Sequence, residues 1–353
     1  MTKGKPRISD IARQSGVSIS TVSLVLNNKP GISEETRAHV LQVAEELEYP
    51  FKPSAGVNNI SLATIGMVIK TDPDISPQAN PFYSKVIMGI EDVCRRNGIN
   101  LLFATLPVDE NNFPLEIPQL LYNDTIDGLL MVGICVGESF KSISDKRMVP
   151  VVLVDGYSKT NGFDTVVSDN FQSAYQAVEY LIRKGHRHIG LAGGGNDCYP
   201  SLRERRNGYL RALKEHEIGN TYLTNFNINQ SHGYQEILSF LKEYPHLSAL
   251  FCVNDDVGSD AIRAVQDLGK RVPEDISIVS YDDTYIARLA RPPLTTMHVD
   301  TLAMGRAAVH LLSLRIENPD LAHMTLTVHS TLVERESAAF APSYALKKET
   351  SAP

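Results

Sequence analysis

At 353 residues the chain is longer than one hydrophobic core usually organises, so two or three domains are expected. A formal net charge of −7 confines any attraction for phosphate to a local patch, and no apolar run approaches the roughly 20 residues of a membrane helix. The polar start Thr-Lys-Gly-Lys-Pro lacks the apolar stretch of a signal peptide, so a cytoplasmic protein is expected. Cys94, Cys135, Cys198 and Cys252 are far apart, which suits reduced, mostly buried thiols better than a disulfide framework or a metal knuckle.

Residues 8–28 read as two short helices joined by a tight turn. Ser9 is expected to cap the first helix, in which Ile11, Ala12 and Ser15 share one face. Gly16 tolerates the positive φ that ends a helix, and Ser18 supplies the cap oxygen of the next. Val22, Val25 and Leu26 form the apolar face of that second helix, leaving Ile19, Ser20, Thr21, Ser23, Leu24 and Asn27 directed outward. Ser33 opens a third helix packed through Val40, Leu41, Ala44 and Leu47. A small helical cap would also use a Gly-Val-Ser turn, but turn, cap and outward hydroxyls together match a DNA-reading helix-turn-helix. Charge agrees: residues 1–29 carry Lys3, Lys5, Arg7, Arg13 and Lys29 against Asp10, a local +4.

From Leu62 onward, short β-rich runs alternate with amphipathic helices. Strands are expected at Thr64–Ile69, Asn100–Ala104, Gly128–Val132, Val151–Val154, His188–Ala192, Ala249–Val253 and Ser277–Ser280. Helical patterns cover Tyr83–Asn97, Ser173–Lys184, Leu202–His216, Tyr234–Glu243 and Val257–Leu268. The alternation implies parallel sheets with helices on both faces, and the strands arrive in two sets separated near residue 165, which implies two lobes and a cleft.

Ligands of such sheets bind beyond the carboxyl ends of the strands. There stand Asn80, Phe82 and Tyr83, Asp155, Asn254 and Asp255, and Asp282 and Asp283, with Arg203, Arg205 and Arg206 opening a helix nearby. Carboxylates, amides and an arginine suit a hydroxyl-rich metabolite, with Phe82 or Tyr83 covering an apolar ring face. The competing reading makes the strand-end acids caps of the helices that follow. Gly193-Gly194-Gly195 lacks the spacing of a dinucleotide fingerprint or a phosphate loop and reads as a strand-to-helix turn. His186 and His188 have no third ligand nearby, so a structural role is expected, with no metal and no cofactor. No nucleophile, base and orienter can be assembled, so an enzyme is not expected.

Along residues 7–337 the chain resembles the lactose-repressor family of bacterial transcription regulators. The resemblance is carried by the head, by Asn-Pro-Phe-Tyr at 80–83, Ile-Asp-Gly-Leu-Leu at 126–130, Val-Pro-Glu-Asp-Ile-Ser-Ile-Val-Ser-Tyr-Asp-Asp at 272–283 and Pro-Pro-Leu-Thr-Thr at 292–296. It implies an α/β protein: a three-helix helix-turn-helix head over residues 1–50, a hinge over 51–63, and a two-lobed periplasmic-binding-protein-like core of parallel sheets flanked by helices over 64–340. The first lobe would take residues 64–165 and 296–322, the second 166–295 and 323–340, and a flexible tail 341–353. It further implies a homodimer whose heads read a pseudo-palindromic operator, as a repressor whose DNA affinity is set by a small polar effector in the cleft. A sugar is the expected effector and a purine or nucleoside the alternative. A ligand-binding module with a vestigial head is the competing class.

Matched residue by residue, Ile19 and Ser20 stand at the family's variable base-reading pair, and Leu24 where many members have an arginine, which favours contact with a thymine methyl. Arg7, Ser18, Thr21, Ser23, Asn27 and Tyr49 complete the implied DNA contacts. In the hinge, Ala55-Gly56-Val57-Asn58 replaces the family's Ala-Arg-x-Leu-like core, so Val57 and Asn58 stand where a leucine would wedge the minor groove. Asn80, Phe82, Tyr83, Asp155, Arg205, Ile228, Asn254 and Asp282 match effector-contacting positions, Ile228 in place of a frequent aromatic. Ser337 to Pro353 shows no leucine heptads, so a coiled-coil tetramer is not expected.

Overall fold

The computed structural model describes residues 6–26, 32–47, 49, 62–71, 78–109, 111–160, 162–195, 199–226 and 233–342. The chain divides into two compact units, Met1–Ser61 and Leu62–Pro353.

In the first unit, α1 (Ile8–Ser15), α2 (Ile19–Leu26) and α3 (Glu34–Glu46) enclose a core of Ile11, Ala12, Val22, Val25, Val40, Val43 and Ala44. The cap of α1 differs from expectation. Arg7, not Ser9, is the N-cap, because the carboxylate of Asp10 reaches back to accept from the Arg7 amide at 2.9 Å. Gly16 ends α1 at φ +69°, and Ser18 Oγ accepts from the Thr21 amide at 3.0 Å, so the expected turn forms. Ser33 caps α3 as expected, accepting from the Thr36 amide at 3.3 Å.

The second unit begins with β1 (Thr64–Lys70), α4 (Tyr83–Asn97), β2 (Asn100–Leu106), β3 (Gly128–Val132), β4 (Cys135–Val136), α5 (Glu138–Arg147), β5 (Val151–Val154), β6 (Tyr157–Ser158) and β7 (Asp164–Ser168). It continues through α6 (Asn170–Arg183), β8 (Ile189–Ala192), α7 (Pro200–Glu215), β9 (Tyr222–Leu223), α8 (Gly233–Glu243), β10 (Ala249–Cys252), α9 (Asp255–Asp267), β11 (Ser277–Asp282), α10 (Tyr285–Leu289) and β12 (Thr295–His298). The last elements are α11 (Thr301–Glu317), β13 (Thr325–Val328) and β14 (Thr331–Val333). One six-stranded sheet has the order β13-β7-β5-β3-β1-β2 with every pairing parallel, the other six-stranded sheet β14-β12-β11-β10-β8-β9 with only β14 antiparallel, and β4 and β6 form a separate two-stranded parallel sheet. The two large sheets centre two lobes, as the two sets of strands imply.

The chain passes between lobes after β7, after β12 and after β13, later than the expected boundaries at 165, 295 and 322. The reason lies in the pairing. Val166 and Val167 continue the ladder with Leu326 and Thr327 in the first sheet, and Thr295–His298 pairs with β11 in the second. The tail boundary also moves, since Ala341 is buried and donates its amide to Lys184 O at 2.9 Å.

Within the first lobe α11 lies against α4 at a close crossing that only glycine permits. A Cβ on Gly305 would stand 2.1 Å from the Val86 carbonyl oxygen, and one on Gly89 2.2 Å from that of Leu302. The loop from α11 to β13 is fixed by buried Arg315, which donates to Asp164 at 2.7 and 3.1 Å and to the carbonyls of Pro319 and Ala322 at 2.9 and 3.0 Å. Cys94, Cys135 and Cys252 are buried free thiols, and Cys198 lies outside the described residues.

Candidate functional site

The outward face of α2 carries the residues expected to read DNA. Ile19 is 57 % exposed and Leu24 38 %, both large apolar side chains in water on a helix whose other face fills the small core. Ser18 and Ser20 are exposed beside them, while Thr21 and Ser23 are half-buried. Ser18 Oγ lies 2.6 Å from Ser20 Oγ and 2.8 Å from Thr21 Oγ1, a hydroxyl cluster at the helix start, where backbone N–H groups favour phosphate oxygen. Arg7 is exposed, and Tyr49 is partly buried against the head core. Asn27, Val57 and Asn58 lie outside the described residues.

In the second unit a cavity of about 370 Å³ opens between the lobes at the carboxyl ends of the strands. Asn80, Phe82, Tyr83, Asp155, Arg205, Asn254 and Asp282 all line it, and Ile228 lies outside the described residues. Two of these residues do what a capping reading requires and face the cavity as well. Asn80 Oδ1 accepts from the amides of Phe82 and Tyr83 at 3.0 and 3.1 Å at the start of α4, and Asn254 Oδ1 accepts from Val257 at 2.9 Å at the start of α9.

The charged residues are held more tightly. Asp155 follows β5 at φ +46°, is 6 % exposed, and accepts from Tyr83 Oη at 2.9 Å through Oδ2. Its Oδ1 is buried without a partner. Burial pushes this carboxyl above the usual range, opposed by Arg205, by the Tyr83 hydroxyl and by Lys70. Asp282 ends β11 at φ +106°, its Oδ1 3.2 Å from Arg205 Nη1 but out of line for a hydrogen bond, so that oxygen too is unsatisfied. Burial holds it well above the usual carboxylate range despite the guanidinium. Arg205 is 4 % exposed, donates Nε to Asn170 Oδ1 at 2.9 Å and Nη1 to the Val253 carbonyl at 2.6 Å, and stacks 3.7 Å over the Tyr281 ring. Left-handed backbone at two non-glycine residues whose side chains enter one cavity is strain kept where a ligand would use it.

Other strand-end acids are structural. Asp255 is fully buried behind the cavity wall, accepting from Ser280 at 2.6 Å, Thr284 at 2.7 and 3.0 Å, and Thr296 at 2.8 Å. Asp283 pairs with Arg335 at 2.5 Å and His298 at 2.9 Å. Arg203 points to solvent and Arg206 is half-buried. His186 lies between Ser248 Oγ at 3.0 Å and the Ala339 carbonyl at 3.1 Å, and burial lowers its pKa to about 4, a neutral structural imidazole. Gly193 turns at φ +91° and donates to Thr224 Oγ1 at 2.8 Å, so the triple glycine is a strand-end turn.

Sequence reasoning missed Lys70, Asn112, Tyr199, Asp256 and Asp260, which also line the cavity. Lys70 closes β1 and was available to the strand-end rule, whereas Asn112 and Tyr199 arrive from loops with no local signal. Tyr199, from the second lobe, donates to the Asp155 carbonyl at 2.6 Å, and Tyr157 of the first accepts from Asn170 at 3.2 Å. These two bonds span the cleft. Among the described residues no helix is long and apolar enough to cross a membrane, and no cluster of three metal-ligating side chains occurs.

Comparison with known proteins agrees with this arrangement. Residues 7–51 match the model for bacterial regulatory proteins of the lacI family, and residues 178–338 match a periplasmic binding protein-like domain. The chain is 33 % identical over 339 residues to the ribose operon repressor of Haemophilus influenzae, covering 94 % of this chain and 98 % of the relative. It is 32 % identical over 348 residues to the transcriptional repressor PurR of Pectobacterium atrosepticum, covering 95 % and 97 %. Among solved structures, the complex of the transcriptional regulator CelR with cellobiose matches at TM-score 0.65 and 27 % identity over 95 % of this chain and all of that one. A regulator from Enterococcus faecium with bound ribose matches at TM-score 0.64 and 25 % identity over 78 % and 99 %. A DNA-reading head on a two-lobed core with a polar interlobe cavity, related along nearly its whole length to transcriptional repressors, places this chain in the lacI family of bacterial transcription regulators.

Proposed function

We propose that this protein is a cytoplasmic, homodimeric repressor that binds a pseudo-palindromic operator through Arg7, Ser18, Ile19, Ser20, Thr21, Ser23, Leu24, Asn27, Tyr49 and the hinge residues Val57 and Asn58, and whose affinity for that operator is set by a sugar in the interlobe cavity. It acts by binding and not by catalysis. The observation that carries the sugar reading is a pair of buried carboxylate oxygens without a hydrogen-bond donor, Asp155 Oδ1 and Asp282 Oδ1, the latter 3.2 Å from Arg205, on two residues that line one cavity from opposite lobes. Each is an acceptor that needs an O–H or N–H donor, and a ring bearing hydroxyls on several carbons can supply both while touching both lobes. A ligand that satisfies one oxygen from each lobe favours one arrangement of the lobes over another, which is what a change in DNA affinity requires. The names of two relatives, a ribose operon repressor and a ribose-bound regulator, point the same way.

The similarity to PurR keeps a purine as the second reading, with Phe82 packed edge-on to Tyr83 at 5.2 Å as the ring surface available to it. A thermal-shift and calorimetric panel of pentoses, hexoses and purine bases separates the two. A sugar at 100 times its dissociation constant is expected to stabilise the core by about 2.7 kcal/mol. A purine that binds while every sugar fails would overturn the sugar reading.

A further inference from the structure

Four carboxylates face the cavity, Asp155 from the first lobe and Asp256, Asp260 and Asp282 from the second, against the two cations Lys70 and Arg205. Both cations are engaged by the protein itself. Arg205 is bound to Asn170, Val253 and Tyr281 and paired with Asp282, and Lys70 Nζ donates to Asn112 Oδ1 at 3.1 Å between the rings of Tyr83 and Tyr199. With Asp155 and Asp282 pushed above the usual carboxylate range by burial and set against these two cations, the surplus of negative charge in the cavity rests on the remaining acids.

Asp256 and Asp260 hold most of that surplus. They stand four residues apart on one face of α9, where like charges repel. The helix dipole accounts for Asp256 in the first turn but not for Asp260 in the second. Asp256 is open to water in the cleft, while Asp260 lies with Oδ2 3.2 Å from the position of a Cβ on Gly233. Arg263, the basic neighbour of Asp260, is itself placed over the Tyr234 ring at 4.5 Å and 3.9 Å from Asp267. The independent sign that a ligand is met here is Asp155, 6 % exposed, which lines the same cavity from the opposite lobe and whose Oδ1 is buried without a hydrogen-bond partner.

We propose that Asp256 and Asp260 are the charge selectors of this cavity, admitting uncharged and amine-bearing sugars and excluding their phosphate esters and acids. The proposal rests on the sugar reading above. Its consequence is that the sensed molecule is the free sugar, the substrate and not the product of a phosphoryl transfer. Discrimination of this kind is built from repulsion of the wrong ligand as much as from attraction of the right one.

The test is isothermal titration of the full-length protein at low salt with D-ribose and D-ribose 5-phosphate, and with D-glucose, D-glucosamine and D-glucose 6-phosphate. The order expected is amine at least equal to parent, and parent tighter than phosphate by about tenfold or more, from like charges several ångströms apart in a partly wet site. In Asp256→Asn, Asp260→Asn and the double variant, which keep the side-chain shape, the ratio of parent to phosphate narrows step by step. A phosphate ester that binds the native protein as tightly as its parent overturns the proposal, as does a ratio unmoved in the double variant. Silence of every sugar in the panel overturns the sugar reading, and this proposal with it.

Discussion

Arg205→Ala is expected to lower the stability of the core as well as its ligand response, because the guanidinium is a structural tie within the second lobe. The substitution removes the bonds to Asn170 Oδ1 at 2.9 Å and to the Val253 carbonyl at 2.6 Å and the stack on Tyr281 at 3.7 Å. It also strips Asp282 of the cation 3.2 Å away, leaving a buried carboxylate at φ +106° with no compensating charge. Breaking a buried pair from one side costs about 3–5 kcal/mol. At roughly 2–4 °C per kcal/mol for a domain of this size, the melting temperature falls by roughly 6–20 °C. Scanning calorimetry of the full-length protein measures this directly, with urea unfolding as a second reading. Asp282→Asn is expected to change stability by less than about 1.5 kcal/mol, since it removes the charge that burial disfavours and leaves Arg205 its other partners. The double variant should recover about 1–3 kcal/mol relative to the sum of the single changes. An Arg205→Ala protein melting within about 2 °C of the native one, a loss of less than about 1 kcal/mol, would show that the guanidinium is not a structural tie.

Gly305→Ala places a Cβ 2.1 Å from the Val86 carbonyl oxygen and is expected to cost about 1–3 kcal/mol in urea unfolding by forcing α11 from α4, whereas Gly219→Ala, in a loop with nothing within 4 Å, is neutral. Ser20→Ala is expected to change the sequences recovered in a binding-site selection, while Ser18→Ala, which removes the cap on the Thr21 amide at 3.0 Å, weakens all sites together and destabilises the head by about 1 kcal/mol. Partial enclosure by the cleft walls, with Asp255 and Asp260 close by, pushes the Asp256 carboxyl up to about 6, so the acid gains a proton as pH falls through that value and repulsion of anions declines. Discrimination between D-glucose and D-glucuronate, whose own charge is constant over the range, should therefore narrow from pH 7.5 to 5.5, and an unchanged ratio would count against charge selection.

The head was legible because its signals are local. Gly16 and Ser18 fix the turn through their own backbone and hydroxyl, and Val22 and Val25 fill the core as their spacing requires. Asp10 outcompeted Ser9 at the first cap because its carboxylate reaches the Arg7 amide from inside the helix, a choice that depends on geometry and not on residue type. In the core, strands followed by clear helices were readable. α11 was not, because Met304, Val309, Leu311 and Ile316 are buried on more than one side and leave a weak amphipathic pattern. β13 was also missed, since Met324, Thr325 and Leu326 are exposed along an outer strand whose place is set only by pairing with β7. The cavity divides along the same line. Asp155, Asn254 and Asp282 follow strands and obey a topological rule, whereas Asn112 and Tyr199 reach the site through loop paths that no spacing records. The rule also collected Asp255 and Asp283, which serve the protein interior, because the sequence does not say which way a strand-end side chain turns.

Occupation of the interlobe cavity is expected to set DNA affinity, and fluorescence anisotropy reads that coupling. A labelled duplex recovered by binding-site selection is titrated with the protein in the absence and presence of the sugar found by the thermal-shift panel. Saturating sugar is expected to change operator affinity by about fivefold or more, equivalent to a coupling of about 1 kcal/mol, which Asp155→Asn abolishes while leaving the affinity of the ligand-free protein for DNA unchanged. Identical operator affinities with and without saturating sugar would contradict it.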